Sequence, residues 1–247
     1  MALIKSISGI RGTIGGRPGE SLTPPDIVKF SSAYGTWLKR RGRGALKVVT
    51  GRDARVSGEM VAALVNASLR SVGIDVIDAG LVTTPTVEIA VTGLGAGGGI
   101  ILTASHNPAQ WNALKLLNEA GEFLSDADGR EVLAIAERED FDYVGYDSLG
   151  KHSTDTGWTG KHIEAVLAMP LVDVEAIAGA GFTVAVDAVN SVGGLAMPAL
   201  LKALGVKRVI ELYCEPTGLF PHNPEPLPEH LEDISRVVKK EGAHLGF

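Results

Sequence analysis

Residues 97–115 read GGGIILTASHNPAQWNALK, and how they are read decides the fold. The apolar run 97–103 has the character of a buried strand, covered on both faces, and it ends abruptly in Thr103-Ala104-Ser105-His106-Asn107-Pro108. Proline fixes its own backbone and restricts the residue before it, so the loop holds the Ser105 hydroxyl in place. A surface turn needs neither a histidine beside the serine nor a glycine-rich approach.

Outward from this stretch, short strands alternate with helical patterns, the signature of an α/β sheet with crossover helices. Toward the N-terminus, Thr23-Pro24-Pro25-Asp26 opens a helix with proline in its first turn, and Ile27, Phe30, Tyr34, Trp37 and Leu38 keep one face apolar. Strands are predicted at 46–50 and 75–78, with a helix from Ser57 or Gly58 to about 72 between them and a short helix at 87–91 leading into 97–103. Toward the C-terminus, 113–124 reads as a hairpin turning at 118–121, followed by a helix at 127–138.

Between 139 and 157 the sequence turns polar and glycine-dotted, which marks a domain boundary. The alternation then restarts with helices at 161–169 and 195–204 and strands at 183–189 and 208–213. Residues 215–228 hold five prolines and form a rigid irregular loop. A helix at 229–241 and an apolar strand at 243–247 follow. The expected architecture is two successive α/β domains, 1–145 and 158–247, each a mixed, mostly parallel sheet with helices on both faces. A strand in this alternation normally continues into a loop and a helix, so the chain reads as a fragment of something longer.

Composition narrows the function. A formal net charge of −6 argues against a general nucleic-acid binder, whose affinity comes from Lys and Arg on phosphates. The one cysteine, Cys214, cannot form an internal disulfide and reads as a small buried hydrophobe near a strand end. MALIKSISGIRGTIGG lacks the apolar core of a secretory signal, and no apolar run approaches the roughly 18 residues of a membrane span. The expectation is a cytoplasmic protein with neither a nucleic acid nor a membrane as partner.

The chemistry gathers around Ser105. In open α/β sheets ligands bind beyond the C-terminal ends of the strands, where Ser105 is placed. A strand-end serine is more often a turn residue, but His106 and Lys115 supply titratable groups nearby in sequence. Arg11, on the glycine-flanked loop Gly9-Ile10-Arg11-Gly12-Thr13, supplies positive charge. Arg52, Asp53 and Arg55 read as ion pairs that tie their own loop together.

Four segments together resemble the first domain of the α-D-phosphohexomutases. They are Gly9-Ile10-Arg11-Gly12, Gly51-Arg52-Asp53-Ala54-Arg55-Val56-Ser57-Gly58, Thr103-Ala104-Ser105-His106-Asn107-Pro108 and Asn112-Ala113-Leu114-Lys115. The loop Phe220-Pro221-His222-Asn223-Pro224-Glu225-Pro226 resembles one in the family's second domain. The resemblance implies the N-terminal two-domain portion of a four-domain enzyme in which Ser105 carries a phosphoryl group. The enzyme would interconvert hexose 1-phosphate and 6-phosphate through a hexose bisphosphate. Glucosamine, glucose and mannose phosphates are all admissible, and the start of the chain and its proline-rich loop look most like bacterial phosphoglucosamine mutase or phosphoglucomutase/phosphomannomutase.

The resemblance also implies Mg²⁺, held partly through the Ser105 phosphate, with Arg11 offsetting charge and Lys115 or His106 as the acid/base group. Two departures stand out. Ala113 replaces the family's usual glycine, which would disturb Lys115 if that position needed positive φ. The aspartate-rich metal loop D-G-D-x-D-R occurs nowhere, so the second domain is expected to stop before it and this chain alone to bind Mg²⁺ weakly and turn over little substrate. Two other readings are a non-catalytic sugar-phosphate binding module and a serine hydrolase; the latter fits poorly, because Ser105 and His106 are adjacent and there is no G-x-S-x-G elbow.

Overall fold

The computed structural model describes residues 2–6 and 9–247; residues 1, 7 and 8 lie outside it. The chain divides into two compact units. The first comprises Met1–Arg52, Ser57–Ala104 and Gln110–Thr156; the second comprises Asp53–Val56, Ser105–Ala109 and Gly157–Phe247.

The first unit runs β1 (Leu3–Ser6), β2 (Gly9–Thr13), α1 (Pro24–Arg41), β3 (Ala45–Arg52), α2 (Gly58–Ser71), β4 (Asp75–Leu81), α3 (Thr84–Gly93), β5 (Ala96–Leu102), β6 (Trp111–Leu117), α4 (Asp126–Arg138) and β7 (His152–Thr154). Among the described residues these strands form a seven-stranded sheet in the order β1-β2-β6-β5-β3-β4-β7. The pairs β5–β3, β3–β4 and β4–β7 are parallel, and β1–β2, β2–β6 and β6–β5 antiparallel.

α1 forms where the sequence marks it. Pro24 and Pro25 occupy its first turn, the Asp26 carboxylate accepts from the Thr23 (3.1 Å) and Gly19 (3.0 Å) amides, and Gly42 closes it at φ 62°. Its apolar stripe packs with α2 and α4 on one face of the sheet, in a cluster that includes Ile27, Phe30, Trp37, Val65, Leu69, Ile100, Leu114 and Val132. Each such side chain contributes about 1.5–3 kcal/mol on burial.

The glycine run of β5 is explained by packing. A Cβ on Gly98 would lie 2.2 Å from the Tyr34 hydroxyl of α1 and 2.6 Å from the Leu117 carbonyl of β6, whereas one on Gly99 would lie 2.7 Å from Val91 of α3. Successive strand residues face opposite sides, so α1 and α3 each press on the middle of this strand from their own face. The Tyr34 hydroxyl takes the space, donating to the Leu117 carbonyl (2.7 Å) with the Gly99 carbonyl at 3.2 Å.

The second unit runs α5 (Trp158–Leu167), α6 (Val174–Gly179), β8 (Thr183–Asp187), α7 (Gly193–Ala203), β9 (Arg208–Leu212), α8 (Glu232–Glu241) and β10 (Leu245–Gly246). Its sheet, in the order β10-β8-β9, is parallel throughout. Val184, Val186, Ala188 and Leu201 form its buried centre, with Phe182, Met197, Val206, Val209 and Cys214 packed against them. Cys214 is half-buried, and burial raises its thiol pKa.

Several elements differ from the sequence reading. Gly9–Thr13, read as a loop, is the strand β2, because pairing between β1 and β6 outweighs the weak strand preference of its glycines. Within the polar stretch 139–157, β7 pairs with β4 as a three-residue exposed edge. The hairpin expected at 113–124 returns only through a single bridge, Leu117 to Phe123.

Candidate functional site at the strand ends

In the larger sheet the chain passes from β3 to β4 on one side and then to β5 on the other side of β3, so the winding reverses between β3 and β5. In open α/β sheets generally, ligands bind beyond the C-terminal strand ends at such a reversal. β3 ends at Arg52 and leads into Asp53–Val56, and β5 ends at Leu102 and leads to Ser105–Ala109. Both loops belong to the second unit.

Ser105 is exposed and holds φ 55°, the left-handed region that a side chain normally avoids. That conformation costs about 1–2 kcal/mol. Arg55 offsets the cost. Its guanidinium, with 0% of the side chain exposed, donates from Nη2 to the Ser105 (2.9 Å) and Asn107 (2.8 Å) carbonyls and from Nη1 to the Pro108 carbonyl (2.7 Å). Its Nε donates to Asp53 Oδ2 (3.0 Å), while Asp53 Oδ1 accepts from the Arg55 amide (3.0 Å). Hydrogen bonds to a charged group contribute about 1.5–3 kcal/mol each, so the loop is over-determined. Burial pulls the Arg55 pKa down against the raising influence of Asp53, yet arginine keeps its proton in proteins. The Asp53–Arg55 ion pair does tie its own loop, as the sequence suggests, and the same guanidinium also ties the Ser105 loop, which the sequence does not reveal.

Within the second unit, further backbone strain lies at the end of β8, where Val189 (φ 44°) and Asn190 (φ 53°) are both left-handed. For a β-branched valine this is a genuine outlier. The Asp187 carboxylate faces His222 Nε2 at 2.8 Å, and His222 Nδ1 lies 2.9 Å from the Asn223 carbonyl. Both ring nitrogens therefore face acceptors, an arrangement that suits the doubly protonated ring. Burial disfavours that charge, but the Asn223 carbonyl and Asp187 outweigh it and the His222 pKa is raised. Ser191 Oγ accepts from the Ala54 amide (3.3 Å), and Phe220 lies under the Arg55 guanidinium, 5.1 Å from ring centroid to Cζ. Gly218 is obligatory: its φ is 71°, and a Cβ there would lie 1.9 Å from the Ala54 carbonyl. None of this clustering is visible in the sequence, apart from the proline-rich character of the 215–228 loop.

In the first unit, Arg11 pairs with Ala113 in the register of β2 and β6, and Lys115 is two residues further along β6. Arg11, Ala113 and Lys115 therefore share one face of the sheet, opposite to Ile10 and Leu114. Lys115 stands on an interior strand, its Nζ 5.8 Å from the Phe123 ring centroid. Its charge also reaches Glu88, whose pKa burial raises and Lys115 lowers in part. Ala113 is absent from the positive-φ residues among those described, so the alanine fits an ordinary strand position. Asn112, fully buried, donates to Ser57 Oγ (2.9 Å) and so links the start of β6 to the start of α2. His106, like Ser105, is exposed.

Residues 3–143 match the phosphoglucomutase/phosphomannomutase α/β/α domain I, and residues 160–247 match α/β/α domain II. The chain belongs to the phosphoglucomutase/phosphomannomutase family. It is 40% identical over 238 residues to a phosphoglucomutase/phosphomannomutase of Thermococcus kodakarensis, covering 95% of this chain and 51% of that protein. A phosphoglucosamine/phosphogalactosamine mutase of Sulfurisphaera tokodaii is 32% identical, with 100% of this chain and 52% of that protein covered. Among solved structures, a phosphoglucomutase/phosphomannomutase family protein of Burkholderia thailandensis superposes with a TM-score of 0.77 at 27% identity, covering 99% of this chain and 52% of that one. This phosphohexomutase-family chain thus spans about half the length of the curated relatives it matches. No helix among its described residues is long and apolar enough to cross a membrane.

Proposed function

We propose that this chain provides the phosphoryl-carrying half of a phosphohexomutase, divided near 145–158 into the family's first two domains, and that Ser105 is the carrier. The observation behind this reading is the exposed Ser105 held at φ 55° in the loop that follows β5. Strained, over-determined backbone concentrates where a side chain must be presented in one orientation.

The phosphoryl group on Ser105 Oγ passes to a free hydroxyl of a hexose phosphate. The P–O bond to the serine breaks as the P–O bond to the sugar forms; the sugar hydroxyl gives up its proton, and the serine oxygen later takes one. The resulting bisphosphate reorients and returns its other phosphoryl group to Ser105. Lys115 and His106 are the proposed acid/base groups, and Arg11 the proposed cation opposing the phosphate charge. The substrate class is a hexose phosphate, with glucosamine, glucose and mannose all admissible.

Mg²⁺, which the family implies, would neutralise charge on the transferring group. The donors among the described residues do not complete a site for it. Asp53 is bonded to Arg55 and Asp187 to His222, and the described residues contain no cluster of three His, Cys, Asp or Glu able to hold a metal. A phosphorylated Ser105 adds three non-bridging oxygens on a single phosphorus, short of the octahedral oxygen shell that Mg²⁺ prefers.

The test is phosphate incorporation. Incubated with Mg²⁺ and a hexose bisphosphate, the gene product at its natural full length should gain one phosphate at Ser105, located by peptide mass spectrometry, and Ser105→Ala should gain none. Mutase activity that survives Ser105→Ala would refute the assignment.

A further inference from the structure

We infer that Arg55 is a positioning residue for the Ser105 hydroxyl, acting through the backbone rather than by touching the reacting atoms. The inference rests on the reading of Ser105 as phosphoryl carrier. The Arg55 side chain is fully buried, and its three nitrogens are all engaged: Nη2 at 2.9 and 2.8 Å from the Ser105 and Asn107 carbonyls, Nη1 at 2.7 Å from that of Pro108, and Nε at 3.0 Å from Asp53 Oδ2. Three carbonyls from one short loop converge on one cation, and the residue whose hydroxyl is to be aimed is the one whose carbonyl begins the series.

A loop with φ 55° at Ser105 has an easier alternative, rotation of that residue back to negative φ, which would turn the hydroxyl elsewhere. Holding the Ser105 carbonyl opposes that rotation directly. The planar guanidinium is suited to this, because its donors diverge in a fixed fork and satisfy carbonyls on both sides of Pro108 at once; a lysine ammonium offers three donors from a single point and cannot span them. Phe220 lies against the guanidinium, 5.1 Å from centroid to Cζ, and Asp53 grips its Nε, so the fork cannot swing away from the loop.

The inference is tested with Arg55→Lys and Arg55→Ala. In the gene product at its natural full length, both should slow phosphoryl transfer about 100-fold, the scale of a small misplacement of a reacting group. KM for the hexose phosphate should stay within about twofold, because substrate binding is not what is lost. In the 247-residue chain, ¹⁵N order parameters at Ser105, His106 and Asn107 should fall from about 0.85 to below about 0.6, with helix and strand content unchanged by circular dichroism. A wild-type rate with lysine, a change confined to KM, or a loop that stays rigid in both variants would each overturn the inference. Should Arg55→Ala fail to fold, Arg55→Lys decides. If the wild-type protein never takes phosphate at Ser105, the carrier reading fails by itself, and the order parameters alone then judge Arg55: lost rigidity supports its role and retained rigidity refutes it.

Discussion

Ser105 and His222 illustrate how a single residue's surroundings set its chemistry. Ser105 is unremarkable as a side chain, and what distinguishes it is a backbone conformation held by carbonyl hydrogen bonds to Arg55. At His222 the partners are a carboxylate and a carbonyl, and the charge of the ring follows from them. The groups facing it are Asp187 from the end of β8, Tyr213, whose ring packs edge-on at 5.8 Å, and Asp233 of α8, whose negative charge adds to that of Asp187. A histidine pKa raised by folding means that the folded protein binds the proton more tightly than the unfolded one. The resulting stability is complete below the ordinary value near 6.5 and is lost as pH rises through the raised folded value. Urea denaturation between pH 6 and 8 should therefore show the wild-type advantage over His222→Gln shrinking as pH rises; an advantage that is constant or grows would show that the ring is neutral in the fold.

At the scale of the element, β5 shows a strand whose composition is set by what covers it. Gly98 and Gly99 give up side chains so that α1 and α3 can approach from opposite faces, and the strand keeps its place through β3 and β6 on either side. Gly98→Ala places a methyl against the Tyr34 hydroxyl and the Leu117 carbonyl, one of them backbone that cannot move alone. The expected loss is about 3 kcal/mol, at the upper end for overpacking. Combining it with Tyr34→Phe should recover part of that loss, because the hydroxyl is removed while the carbonyl remains. Thermal or urea denaturation of the two single variants and the double variant measures the coupling, and simple additivity would contradict the packing account.

For the molecule as a whole, the two units differ in how their cores are built. The first buries a continuous cluster from Ile10 to Ala136 between its sheet and α1, α2 and α4, whereas the second gathers a small group around Val184 and Val186. Among the described residues neither supplies a cluster of three carboxylate, imidazole or thiol donors for Mg²⁺, and the carboxylates Asp53 and Asp187 are already bonded to Arg55 and His222. Isothermal titration of this chain with MgCl₂ should give a Kd weaker than about 1 mM, and the chain should turn over little or no hexose phosphate. Saturation at micromolar Mg²⁺ would mean that a complete donor set exists within these residues.

Most of the alternation of strands and helices was legible because it rests on local periodicity, as in the apolar stripe of α1 and the apolar run of β5. The elements that escaped include β2, rich in glycine, and the three-residue edge β7, both of which rest on pairing, together with the strand β1 and the six-residue helix α6, too short for a period to show. The motifs in the sequence pointed to Ser105, His106, Lys115 and Arg11 as candidates, and residue types in order were enough for that. What only the tertiary structure decided is how these candidates are held. The left-handed Ser105, the guanidinium of Arg55 that gathers carbonyls 50 and more residues away, and the Asp187–His222 pair all join segments distant in the chain. No local pattern records such contacts, because the three-dimensional path of the backbone creates them.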